Sequence, residues 1–168
     1  MRLRTCLAAL ALCLCSGHAE AGGFSLNGRE LGERFDSVLN DPRYECSGTS
    51  ACLLYTVCTL KIPGSETLAG APLEGLSLHF SGERLTAIEA QFPPDRFDEV
   101  LGDLIHELGP GQAELGSMHG GPQGAARNAV YVWREGSQLL RLERTSRNPA
   151  RSCLIITQKS FLSELLAQ

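Results

Sequence analysis

Hydrophobic and polar positions are most sharply ordered between Leu76 and Gly109. Leu76, Leu78 and Phe80 alternate with Ser77, His79 and Ser81, the period-2 pattern of a strand with one buried face. On that pattern His79 belongs to the polar face. Ser81-Gly82-Glu83 supplies a turn, and Arg84 to Phe92 follows as an extended run in which Ile88, Ala90 and Phe92 share a side, so a hairpin is expected. Beyond Pro93-Pro94 the period changes. Phe97, Val100, Leu101, Leu104, Ile105 and Leu108 recur at helical spacing, with Asp95 as N-cap, Asp98 and Glu99 in the first turn and Gly109-Pro110 as the stop. Burying those six side chains would contribute on the order of 10 kcal/mol before chain entropy is charged.

The remaining pattern is sparser. Leu31, Phe35, Val38 and Leu39 predict a short helix ending at Asn40-Asp41-Pro42, and residues 51–58 (ACLLYTVC) read as a strand. Gly109 to Asn128 holds six glycines and two prolines and is expected to be a mobile loop. Three further strands are predicted over 129–133, 137–143 and 152–157. The first of these alternates Val130 and Val132 with Tyr131 and Trp133, which marks it as central with two apolar faces. Ser160 can cap a last helix carrying Phe161, Leu162, Leu165 and Leu166.

Residues 1–21 stand apart from this pattern. Arg2 and Arg4, an apolar run from Cys6 to Cys15, and the terminal Ala19-Glu20-Ala21 form the three regions of a secretory signal peptide. The run is too short for a membrane span of about 20 residues. Residues 22–168 are then expected to fold as a single domain in the periplasm or outside the cell, without a transmembrane segment. That portion carries 13 basic and 18 acidic side chains, a net charge of −5, which argues against binding nucleic acid. The charge is divided: residues 22–126 carry a net −9 and residues 127–159 a net +5. The favoured reading is two solvated faces whose opposite charges help one half lie on the other. The alternative is an anion-binding patch on the C-terminal hairpin, with Arg134, Arg141 and Arg144 as its residues.

Removal of the signal leaves Cys46, Cys52, Cys58 and Cys153, an even number suited to two disulfides in an exported chain. No Cys-x-x-Cys occurs and no histidine stands at ligand spacing, so neither metal nor cofactor is expected. Four cysteines allow three pairings. Cys52 and Cys58 on one strand would lie about 20 Å apart, far beyond bridging distance. The turn-forming residues 47–51 favour Cys46 with Cys52, which leaves Cys58 for Cys153.

These elements compose an α+β domain: an antiparallel sheet of about six strands with helices packed on one face, in an order that suggests an αβββ unit used twice. That order is similar to the small exported bacterial domains typified by the β-lactamase inhibitor protein and by outer-membrane assembly lipoproteins. The stretch GERLTAIEAQFPPDRFDEVLGDLIHELGP, leading through a loop to VYVW, also resembles uncharacterised periplasmic proteins of bacteria. In those, an F-x-x-x-x-L-x-x-I strand pair precedes an F-x-x-V-x-x-x-L helix ending in Gly-Pro. The resemblance implies fold and location and supplies no substrate.

No catalytic residue is assigned. Ser117 and His119 in the glycine-rich loop lack the G-x-S-x-G arrangement and sit too close in sequence to converge as a triad, so they join the three arginines as candidate binding residues. The expected function is that of a noncatalytic exported protein that binds a macromolecular partner or envelope component. The alternative is a small periplasmic hydrolase or ligand-processing enzyme with residues 110–127 as its lid.

Overall fold

The first element in the computed structural model, which describes residues 23–47, 55–115, 129–145 and 150–158, is a two-residue hairpin. Strands β1 (Ser25–Leu26) and β2 (Arg29–Glu30) are joined by Asn27 and Gly28, whose φ angles of 51° and 76° suit a type I′ turn. Helix α1 (Asp36–Leu39) is a single turn, shorter than the spacing of Leu31, Phe35, Val38 and Leu39 predicts, because the backbone of residues 32–35 pairs with Glu83, Arg84 and Leu85 instead. Strands β3 (Tyr44–Ser47) and β4 (Thr56–Leu60) follow, then a second small hairpin of β5 (Thr67–Leu68) and β6 (Ala71–Pro72). The long strands β7 (Gly75–Ser81) and β8 (Arg84–Phe92) form the expected hairpin. A 3-10 turn at Pro94–Arg96 leads into helix α2 (Phe97–Leu108), and four strands close the described chain: β9 (Gln112–Leu115), β10 (Ala129–Glu135), β11 (Gln138–Glu143) and β12 (Ser152–Gln158).

Eight of these strands make one antiparallel sheet in the order β3-β4-β7-β8-β12-β11-β10-β9. Two four-strand meanders, each preceded by a helix, meet where β8 pairs with β12. The expected count of about six is therefore corrected to eight, and each half has four strands rather than three. The two additions, β3 and β9, are the edge strands. Each is only four residues long and lies in turn-forming sequence, so neither shows a period. Strand β10, expected to be central, lies one place in from the β9 edge.

One face of the sheet carries the main core. Leu76, Leu78, Phe80, Ile88, Phe92, Leu142, Leu154 and Ile156 are essentially inaccessible there, and Phe97, Val100 and Leu104 of α2 pack against them. A bulge between His79 and Phe80 brings both Leu85 and Ile88 to this face. The α2 stripe is only half used: Ile105 and Leu108 remain about 40 % exposed. No side chain caps the helix, so Asp95 does not take the expected N-cap role and instead sits in the preceding 3-10 turn. The other face is not a bare polar surface. Ala87, Cys153 and Ile155 form one buried group there and Val130, Val132 and Leu139 another.

The cysteines depart from the expected pairing. Cys46 and Cys58 are direct cross-strand partners on β3 and β4 and are disulfide-bonded. Cys58 cannot reach Cys153, because β12 lies three strands from β4, on the order of 14 Å at the usual strand spacing. The two residues also face opposite sides of the sheet, and Cys153 is a buried free thiol. Cys52 lies outside the described residues, as do residues 1–21 and the expected final helix.

Trp133 shows how tightly the second half closes. Its indole Nε1 donates a hydrogen bond to the Gly109 carbonyl at 2.8 Å, and a Cβ placed on Gly111 would lie 2.7 Å from the indole ring. Gly111→Ala is therefore expected to cost about 1–3 kcal/mol through overpacking. A urea midpoint unchanged from wild type would contradict that contact.

Candidate binding site

A groove of about 630 Å³ opens at the end of the β3-β4 ladder, where the Asn27-Gly28 turn, the approach to β3 and the β4-β5 connection converge. Pro42 and Ile62 supply its apolar walls, and Asn27, Arg43, Lys61 and Glu66 its polar rim. Its size falls in the range of ligand pockets. Ile62, at 67 % exposure, is the most exposed of the large hydrophobic side chains among the described residues.

The rim is held rigidly. Arg43 donates to both carboxylate oxygens of Asp41 and, at 2.9 Å, to Glu66, which also accepts a hydrogen bond from Asn27. Buried Arg29 bridges Asp41 and Glu33, and the guanidiniums of Arg29 and Arg43 lie 5.3 and 5.4 Å from the centre of the Tyr44 ring. Hydrogen bonds from Arg43 are the main cause holding the Asp41 carboxyl down at about 2. A carboxyl lowered in this way stabilises the fold fully above its ordinary value near 3.8, and the contribution fades as pH falls through about 2. Lys61 stands outside this network. Among the described lysines and arginines it alone has a side chain with no hydrogen bond or ion pair.

Comparison with protein-family models, curated proteins and solved structures finds no match.

The hairpin arginines are each engaged within the chain. Arg134 pairs with Glu114 at 2.8 Å, Arg141 with Glu143 and, at 3.5 Å, with Glu114, and Arg144 with Asp98. Arg144 also lies 4.3 Å from the centre of the Phe97 ring. The pairs to Glu114 and Asp98 tie the basic segment to β9 and α2 within the second half, and Arg151, 3.2 Å from Glu74, reaches across to the first. Ser117 and His119 lie outside the described residues. A second cleft of about 500 Å³ beside Pro110 is lined by Phe24, Leu108, Trp133, Arg134 and Glu135 among others. Its described lining contains no nucleophile beside a base, so the hydrolase alternative gains no supporting geometry there.

His79 is the clearest departure from the polar-face expectation: it is buried. Its Nδ1 shares a hydrogen bond with the Tyr55 hydroxyl, its Nε2 has no hydrogen-bond partner, and Glu89 stands 3.8 Å from Nε2. Glu89 in turn accepts from Gln91 and lies 3.8 Å from the Cys153 thiol. Among the described residues, no group of three or more His, Cys, Asp or Glu side chains could hold a metal ion. Burial pushes the His79 imidazole below its ordinary value, partly offset by Glu89, and pushes the Cys153 thiol up. The unfolded chain therefore binds a proton at this histidine more readily than the folded one does. Stability is expected to fall as pH drops below about 6.5, with a slope of at most about 1.4 kcal/mol per pH unit from this one group. His79→Gln should flatten that slope in urea titrations between pH 7 and 5; identical slopes would exclude His79 as the source.

The groove residues had no strong advance signal. Asn27-Gly28 is the strongest short hairpin signature in the chain, and Pro63-Gly64-Ser65 marks the turn beside Ile62. Together they indicate two tight turns, but not that the turns face one another.

Proposed function

We propose that this chain is a noncatalytic exported protein that binds a macromolecular partner through the groove at Pro42, Lys61 and Ile62. The observation that carries the reading is the pairing of an exposed apolar side chain with a cation, Lys61, that has no partner among the described residues, on a rim already locked by Arg43, Asp41 and Glu66. A preorganised rim lowers the ordering cost of association. The Cys46–Cys58 bond fits an oxidising compartment, the setting implied by the N-terminal signal pattern. The order of a helix and a four-strand meander, present in each half, supports reading the chain as one structural unit used twice. It also supports keeping the likeness to β-lactamase-inhibitor-like domains as a likeness of element order.

Ile62 and Lys61 are both exposed, so their replacement should spare the fold. Ile62→Asp is expected to melt within about 2 °C of wild type while losing the products that wild type gives in crosslinking pull-downs from an envelope fraction. An unchanged product pattern would remove the groove from the binding surface.

A further inference from the structure

We infer that the groove takes an extended peptide segment of a partner protein in which an apolar side chain stands within one or two residues of a carboxylate. This rests on the binding role proposed above and specifies its chemistry. The two recognition elements are neighbours in sequence and lie on the same groove. Ile62 and Pro42 offer an apolar surface for one side chain, and Lys61 offers an ammonium with no partner among the described residues. Charge complementarity chooses the occupant. The other cation of the lining, Arg43, is already held by Asp41 and Glu66, and Arg29 behind it is buried against Glu33 and Asp41. The positive charge left to a ligand is thus a single point at Lys61, enough for one carboxylate. Glu66 on the rim already accepts from Arg43 and Asn27, so it leaves no free carboxylate to attract a basic segment. The net charge of −5 on residues 22–168 opposes an extended polyanion or an anionic membrane surface, but leaves a single local pair at Lys61 unaffected at physiological salt, where screening acts over about 8 Å.

The test uses the chain from residue 22 to 168 and three pools of fluorescein-labelled heptapeptides, read by anisotropy. In each pool one position is Leu, Ile or Phe. The residues beside it are Asp or Glu in the first pool, Ser in the second and Lys in the third. Vesicles containing anionic phospholipid serve as a separate probe. The acidic-apolar pool is expected to bind at least tenfold more tightly than the lysine pool. Lys61→Glu should reverse that order, and Ile62→Asp should weaken the acidic-apolar pool at least fivefold, both variants keeping the wild-type melting temperature within about 2 °C. Equal binding of the acidic and lysine pools, indifference of the acidic pool to Lys61→Glu, binding of vesicles in place of peptides, or no binding by any pool would each overturn the inference. Should any of these occur while a crosslinker at position 62 still captures a partner, the chemistry assigned to the partner fails and the binding role stands; loss of both removes both.

Discussion

Phe80→Ala is expected to destabilise the protein by about 3–5 kcal/mol and to lower its melting temperature by about 10 °C. Phe80 is completely buried on β7, at the bulge that also turns Leu85 inward, and its ring meets Phe35 edge to face with centroids 5.2 Å apart. Truncation would therefore remove the aromatic contact that ties the segment before α1 to the sheet as well as leaving a cavity in the main core. Net stabilities of domains are about 5–15 kcal/mol, so a loss of this size takes a large share. Ile105→Ala, on the exposed flank of α2, provides the comparison and should cost well under 1 kcal/mol. Urea unfolding of the two variants decides the matter; equal midpoints would mean that the two faces have been assigned the wrong burial.

The second large effect belongs to the Cys46–Cys58 bond. Its partners are 12 residues apart, and on the chain-entropy account closing such a loop stabilises by about 3 kcal/mol. Replacing both cysteines with alanine should lower stability by about that amount. Cys153→Ala, which breaks no crosslink, should cost no more than about 1 kcal/mol of packing. That order reverses the one implied by a Cys58–Cys153 bridge. Peptide mapping without reduction should yield one fragment joining Cys46 to Cys58, and recovery of a fragment joining Cys58 to Cys153 would refute the β3-β4-β7-β8-β12 strand order.

The parts of the fold that were readable in advance are those whose signal is local. The β7-β8 hairpin, α2 and strands β10 to β12 follow from residues that repeat within a few positions, such as Leu76, Leu78 and Phe80 or Phe97, Val100 and Leu104. The parts that were not readable depend on partners far away in sequence. Strand β9 is recognisable only through its pairing with β10, because Gln112 to Leu115 is embedded among glycines. Without β9 there was no way to see that Glu114 neutralises Arg134 and Arg141, which left the basic hairpin looking available to an anion. Periodicity separates two faces of a strand without saying which is wet. His79 was placed with the polar residues correctly but buried all the same, since Tyr55 and Ala87 occupy that face too. For α2 the stripe gave the right face and overstated its cover, because Ile105 and Leu108 lie at the margin of the contact. The groove was the least legible feature: Asn27, Pro42 and Ile62 come from three separate segments, and only the fold brings them together.

The binding role is the central claim, and it is tested most directly by placing a photo-activated crosslinking residue at position 62 in the full chain expressed in intact cells, with positions 105 and 141 as comparison sites. Position 62 should give a discrete crosslinked product that disappears with Lys61→Glu, while positions 105 and 141 give none. Equal labelling at all three positions, or a product at 62 that is insensitive to Lys61→Glu, would contradict the role assigned to the groove.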